Sequence, residues 1–158
     1  MKRLLILFIV LISAALLAGC VGERIPGTDL SGISIDGIRI GTPIKDVDLE
    51  RYHDTGRYSG NYAYLYDEII LDTKNETVSY LFGRFDEPAI QISVNGISAF
   101  NSIDDISALL GDNCREKTYD REQHLLEHIY YDYDHQLTAE FIYSGYDGSL
   151  LWGILSAN

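Results

Sequence analysis

A fifteen-residue block recurs in this chain at a constant offset of 59 positions, without a gap. Ile33-Ser34-Ile35-Asp36-Gly37-Ile38 returns as Ile92-Ser93-Val94-Asn95-Gly96-Ile97, and Ile44-Lys45-Asp46-Val47 returns as Ile103-Asp104-Asp105-Ile106. Six of the 15 positions are identical and three more are close exchanges, where ordinary residue frequencies give about one identity by chance. Two copies are too few for a solenoid. The pattern predicts an α+β fold of two tandem repeats, residues 33–91 and 92–158, whose halves share one core.

Each copy opens with a short alternating strand and a tight turn, Asp36-Gly37 or Asn95-Gly96, both strong hairpin signals. A helix start follows. In the second copy Ser102 is the expected N-cap, Asp104 and Asp105 suit the positive helix terminus, Ile103, Ile106, Leu109 and Leu110 keep helical spacing, and Gly111 closes the helix. In the first copy Thr42 is the expected N-cap, with Pro43 opening a shorter helix. Tyr62–Tyr66, Glu68–Thr73 and Thr77–Phe85 then read as strands, as do Leu125–Tyr133, Leu137–Tyr143 and Ser149–Leu155 in the second copy, because Tyr, Ile and Val fill them. Each repeat is therefore expected to be a short helix on an antiparallel meander of three or four strands. Leu137, Ala139 and Phe141 alternate onto one face for the helix to cover.

A helix ending in Leu109-Leu110-Gly111, a variable loop, the aromatic strand Ile129-Tyr130-Tyr131-Asp132-Tyr133 and two further strands resemble the BamE-like unit. The tandem form resembles the β-lactamase inhibitory proteins, which carry two such units. The resemblance spans Ile33 to Asn158 and departs in the first copy, which has no Leu-Gly helix end. It implies a non-catalytic, protein-binding envelope module and carries no contact residue over to this chain.

The N-terminus has its own pattern. Met1, Lys2 and Arg3 form a positive n-region, and Leu4 to Leu17 is an apolar run broken only by Ser13. That run fits a signal sequence and falls short of the ~20 apolar residues of a membrane span. It ends in Leu17-Ala18-Gly19-Cys20, which resembles the lipobox of bacterial lipoprotein precursors. The resemblance implies removal of residues 1–19, a diacylglyceryl group on the Cys20 thiol, and display on the extracytoplasmic face of a membrane. Two acyl chains anchor stably where one is marginal. Residues 20–32, with Gly22, Pro26, Gly27, Ser31 and Gly32, then read as a flexible tether.

Removal of the first 19 residues leaves 139, one domain of ordinary size. Lys2 and Arg3 leave with the signal, taking the net charge of −12 to −14. That argues against nucleic-acid binding, which needs a basic stripe, and against hugging anionic lipid, so the globule is expected to stand off its membrane. With Cys20 lipidated, Cys114 is the last thiol and an intramolecular disulfide is impossible.

Neither a catalytic residue nor a cofactor is indicated. His124 and His128 have i, i+4 spacing, but the glutamate between them, Glu127, is not at the position the metalloprotease motif requires, and a loop running into a strand does not bring them together. Asp132-Tyr133-Asp134 would open a calcium loop only with Gly at 137 and Glu at 143, which are Leu137 and Tyr143. No metal site is expected. Asp112, Asp120, Glu122 and Glu127 read as a solvated acidic loop.

Tyrosine is abundant, at twelve residues. Strand alternation would place Tyr62, Tyr64 and Tyr66 on one side and Ala63 and Leu65 on the other. The expectation is an outward tyrosine stripe that anchors a partner, with Tyr130, Asp132 and Asp134 as a comparable outward row in the second copy and Ile129, Tyr131 and Tyr133 inward. Such an acidic, aromatic face would suit a basic protein or a glycan. The leading expectation is a lipid-anchored, non-enzymatic, protein-binding or inhibitor-like module. A structural or assembly lipoprotein of an envelope complex is the alternative, and a cell-wall hydrolase a third.

Overall fold

The structure is a computed structural model that describes residues 25–57 and 60–158. The segment expected to be a signal, Cys20 and Tyr58 lie outside the described residues. Among the described residues, nine strands form two antiparallel sheets, accompanied by one α-helix. The strands are β1 Ile33–Ile35, β2 Tyr64–Leu65, β3 Ile69–Lys74, β4 Thr77–Arg84, β5 Ile92–Val94, β6 Arg115–Asp120, β7 Leu125–Asp132, β8 Leu137–Ser144 and β9 Leu150–Ala157, with α1 at Ile103–Leu110. β1 pairs with β5 in a small ribbon, and the other seven strands form one sheet in the order β2-β3-β4-β9-β8-β7-β6. No described helix is long and apolar enough to cross a membrane.

The two recurring blocks meet each other. Ile33 lies opposite Val94, Ser34 opposite Ser93, and Ile35 opposite Ile92, a self-complementary register. Asp36 and Gly37 turn at φ 53° and 79°, and Asn95 and Gly96 at 52° and 80°. Positive φ at both central residues is the tight hairpin geometry that Asp-Gly and Asn-Gly favour.

The ribbon crosses the sheet at its centre, where β4 and β9 place Gly83 opposite Gly153. A Cβ on Gly83 would come within 2.7 Å of Ile35 Cγ2 and 2.9 Å of Ile90 Cδ1, and one on Gly153 within 3.1 Å of Ile92 Cδ1. Only glycine lets ribbon and sheet approach this closely.

Side chains at paired positions share a face, so the register sorts the sheet into two faces. One row runs Tyr64, Leu71, Leu81, Leu155, Ala139, Tyr130. All six belong to or pack on the core cluster, which also holds Ile33, Ile35, Ile92 and Val94 of the ribbon and Ile103, Ile106 and Leu110 of α1. This is the inner face. Phe141 lies in it with 1 % exposure, as the alternation of β8 predicts.

Ser102 precedes α1 as expected, and the Asp105 carboxylate accepts the N–H groups of Asn101 and Ser102 at 2.6 and 3.2 Å. The helix expected after Thr42 is instead a three-residue 3-10 turn, Ile44–Asp46, with the cap at Pro43. The reason is local. Gly41 N–H, Thr42 C=O and Ile44 N–H bond to Val78 C=O, Val78 N–H and Glu76 C=O, so this backbone is spent on β4 and its preceding turn. A second 3-10 turn covers Leu49–Arg51.

β6 corrects the expected variable loop. Its residues are charged or polar and largely exposed, as suits an edge strand protected by charge rather than by apolar alternation. Glu127 likewise leaves the expected acidic loop: it sits in β7, 7 % exposed, 3.2 Å from Lys117 Nζ.

Candidate functional site

The expected tyrosine stripe turns the other way. Tyr64 pairs with buried Leu71, so it faces inward, and Tyr64 and Tyr66 both pack on the core cluster. Ala63 is exposed, not inward. Tyr62 precedes the strand and stacks on Tyr80 at 5.0 Å between ring centres, on the opposite face. In β7, Tyr130 is fully buried under α1, with Ser107 Oγ 3.3 Å from its hydroxyl. Asp132 is 3 % exposed, and of the expected outward row only Asp134 is exposed. The alternation held for Tyr64, Leu65 and Tyr66 but not for Tyr62 and Ala63, which precede the strand. What it could not supply was which parity faced the core, because both parities of these strands are rich in large residues.

Asp132 has a structural task. Its Oδ1 accepts the N–H groups of Asp134 and His135 at 3.1 and 2.9 Å, and its Oδ2 accepts Leu30 N–H at 2.9 Å beside His135 Nδ1 at 2.8 Å. Thr28 N–H bonds Tyr131 C=O, Tyr133 hydroxyl donates to Ile25 C=O, and Leu30 is 2 % exposed. The described part of the expected tether, residues 25–32, is thus docked against β7 rather than free. Asp29, Asp132 and His135 bring one potential ligand atom each within 4.8 Å of one another. Both Asp132 oxygens are already saturated, so the group reads as a latch for the N-terminal segment, not a metal centre.

Burial works to raise the Asp132 pKa, but the bonds from Leu30 and His135 outweigh it and leave the carboxyl below its usual range. The same bond to Asp132 raises His135 above 6.5.

The other histidines are also engaged. His53 Nδ1 bonds Glu68, the His124 ring lies tilted against Tyr146, and His128 Nε2 lies 3.3 Å from Glu116. Glu116 also accepts the Tyr143 hydroxyl at 2.8 Å, and that bond, followed by His128, holds its carboxyl low. His124 and His128 have separate partners. Burial raises the Cys114 thiol pKa, which disfavours the nucleophilic thiolate.

The outer face of the large sheet is the feature that strand alternation did not reveal. One row reads Leu65, Ile70, Phe82, Ile154, Glu140, Ile129, Arg115. Beside it run Arg84, Trp152, Ile142, Glu127, Lys117 and, on the other side, Asp72, Tyr80, Ser156, Thr138, Tyr131. None of these residues belongs to the core cluster, whereas the ribbon and α1 contribute to it and Ile44 and Leu49 of the two 3-10 turns pack against it. Among the described residues, then, the packed elements join the core on the inner face; on the outer rows Glu127, Ile129, Thr138 and Ile142 are buried, and Ile70, Phe82, Trp152 and Ile154 are partly covered. The outer side carries a chain of aromatic contacts: Phe82 to Trp152 at 6.4 Å, and Trp152 to Tyr119 at 5.5 Å, with the Tyr62–Tyr80 stack alongside. Ile142, directly across from Trp152, has no exposure. Burial, then hydrogen bonding to Tyr62, pushes the Tyr80 pKa up.

An open antiparallel face is normally polar, and contiguous apolar surface marks a contact site. The sequence signal for this was present in Thr77–Arg84 and Leu150–Ala157, where both alternating sets hold large apolar residues. No family model matches the chain, and neither a curated protein nor a solved structure is detectably similar to it.

Proposed function

We propose that this chain is a lipid-anchored, extracytoplasmic, non-enzymatic module that binds a protein partner on the outer face of its seven-stranded sheet. The observation that carries the reading is that face itself: Ile70, Phe82, Trp152 and Ile154 are only partly covered, on a side where an antiparallel sheet ordinarily presents polar residues. Rigid aromatic side chains of this kind are the usual anchors of protein interfaces.

The two halves are read as a duplication. The self-complementary ribbon and the facing Gly83 and Gly153 support this. So does the sheet order, which runs β4-β3-β2 outward on one side of centre and β9-β8-β7 on the other. A bridge from Asp54 to Tyr66 stands beside β2 where β6 stands beside β7. The reading is less close in the first half, which has two 3-10 turns where the second half has α1.

The anchor rests on the Leu17-Ala18-Gly19-Cys20 motif. Because Ile25 is already held by Tyr133, a lipid on Cys20 would be five residues away, about 18 Å when fully extended. The globule would then sit close to its membrane rather than stand off on a long tether. Cys20→Ser should abolish incorporation of a fatty-acid analogue in metabolic labelling; label retained by the variant would overturn the anchor.

The binding face has its own test. Phe82→Ser combined with Trp152→Ser should remove the cross-linked species recovered when intact membranes are treated with a bifunctional reagent and the chain is isolated. Its melting temperature should stay within about 5 °C of the parent, since these side chains lie outside the core cluster. Unchanged cross-linked species would place the interface elsewhere.

A further inference from the structure

We infer that the partner presents a lysine or arginine side chain that pairs with Glu140 on the outer face. The inference rests on that face being the docking surface and adds the chemistry of what it recognises.

Glu140 lies on β8, with Ile154 directly across on one side and Ile129 on the other. Thr138 and Ile142 flank it along the strand on the same face. It is half-buried and makes no hydrogen bond or ion pair among the described residues. The neighbouring cations are committed: Lys117 Nζ is 3.2 Å from Glu127, and Arg84 is bonded twice by Asp86 at 2.9 and 2.7 Å. Arg115, at the end of the same row, stands two strands away beyond Ile129, about 10 Å at ordinary strand spacing. Burial, and next the charge of Glu127, raise the Glu140 carboxyl above its usual range, with Lys117 offsetting part.

An apolar partner seated on Phe82, Trp152 and Ile154 must take the remaining water from this carboxylate. An unpaired buried charge is strongly disfavoured, whereas one met by a cation with good geometry is tolerated. A basic side chain answers that need, and the aromatic rings beside it offer further attraction to a cation. The long-range field agrees, since a chain of net charge −12 attracts basic partners and repels a second copy of itself.

The alternative role for Glu140 is a guard against sheet-to-sheet aggregation, which predicts that neutralising it leaves binding intact or strengthens it. The test uses the full-length chain in its own cells, with the photo-reactive residue p-benzoylphenylalanine in place of Phe82. Irradiation should give a partner adduct that falls about tenfold in Glu140→Gln and disappears in Glu140→Lys. Reversing the basic residue mapped in that adduct to glutamate should restore it with Glu140→Lys. Melting curves should show each variant folded, because Glu140 gives up no bond. Glu140→Asp, which keeps the charge, should retain part of the adduct and serves as a second folded control. An undiminished adduct in Glu140→Gln, still lost in Trp152→Ser, would refute the cation and leave the docking face standing. No adduct from Phe82 in the parent chain would refute both.

Discussion

Phe141→Ala should cost about 3–5 kcal/mol, as truncation of a buried aromatic does. Phe141 is 1 % exposed and central to the inner face. It lies across from Gly153 on β9 and touches the rings of Phe85 and Tyr130 at 6.4 and 6.1 Å between centres. Ile103, Ile106 and Leu110 of α1 share its cluster. The empty volume cannot be refilled easily, because the ribbon is already held at its closest approach by Gly83 and Gly153. For a domain of this size the loss is a large share of total stability. Urea melts measure it; a loss under about 1 kcal/mol would mean that the cluster is not the core.

Asp132→Ala should cost about 2–4 kcal/mol, since it strips acceptors from the N–H groups of Leu30, Asp134 and His135, of which Leu30 is buried. The larger signature is local. Amide exchange at Thr28 and Leu30 should accelerate sharply as residues 25–30 detach, while amides of β8 and β9 change only with global stability. The latch also has a pH window. The Asp132 carboxyl is lowered in the folded state, so its contribution is present above the usual 3.8 and is lost as pH falls through the folded value. His135 is raised, so its contribution is complete below 6.5 and is lost as pH rises through the folded value. Protection of Leu30 should therefore be greatest between about pH 4 and 6.5. A flat pH profile in that amide, or exchange unchanged by Asp132→Ala, would show that the segment is held by apolar contact alone.

Much of this architecture can be read from residues in order. Period-two alternation and Gly or Asn turns place the strands of both meanders to within a few positions, and Ser102 with Gly111 bounds α1. The 59-residue recurrence marks the two hairpins that pair in the ribbon. Three features resisted. Residues 41–44 carry helix-start residues, yet bond to Glu76 and Val78, contacts made more than 30 positions along the chain. Arg115–Asp120 has no apolar alternation because an edge strand protects itself with charge. Above all, the inward parity of β2 and β7 was not legible. Tyr64 and Tyr130 look like surface anchors until the register ties them to Leu71 and Ala139. The expected contact residues Tyr64, Tyr66, Tyr130 and Asp132 belong to packing and to the latch. The docking surface proposed in their place is assembled from four strands drawn from both halves, which no local window contains.

Oxidative footprinting with hydroxyl radicals compares side-chain exposure in intact cells with that of the purified chain. If the outer face is where a partner sits, Trp152, Phe82 and Tyr119 should be oxidised several-fold less in cells, and Tyr146, which is 82 % exposed on the β8–β9 turn, should be oxidised equally in both. Equal oxidation of Trp152 and Phe82 in cells and in isolation would contradict the account, because the face would then stand open to water where the protein works.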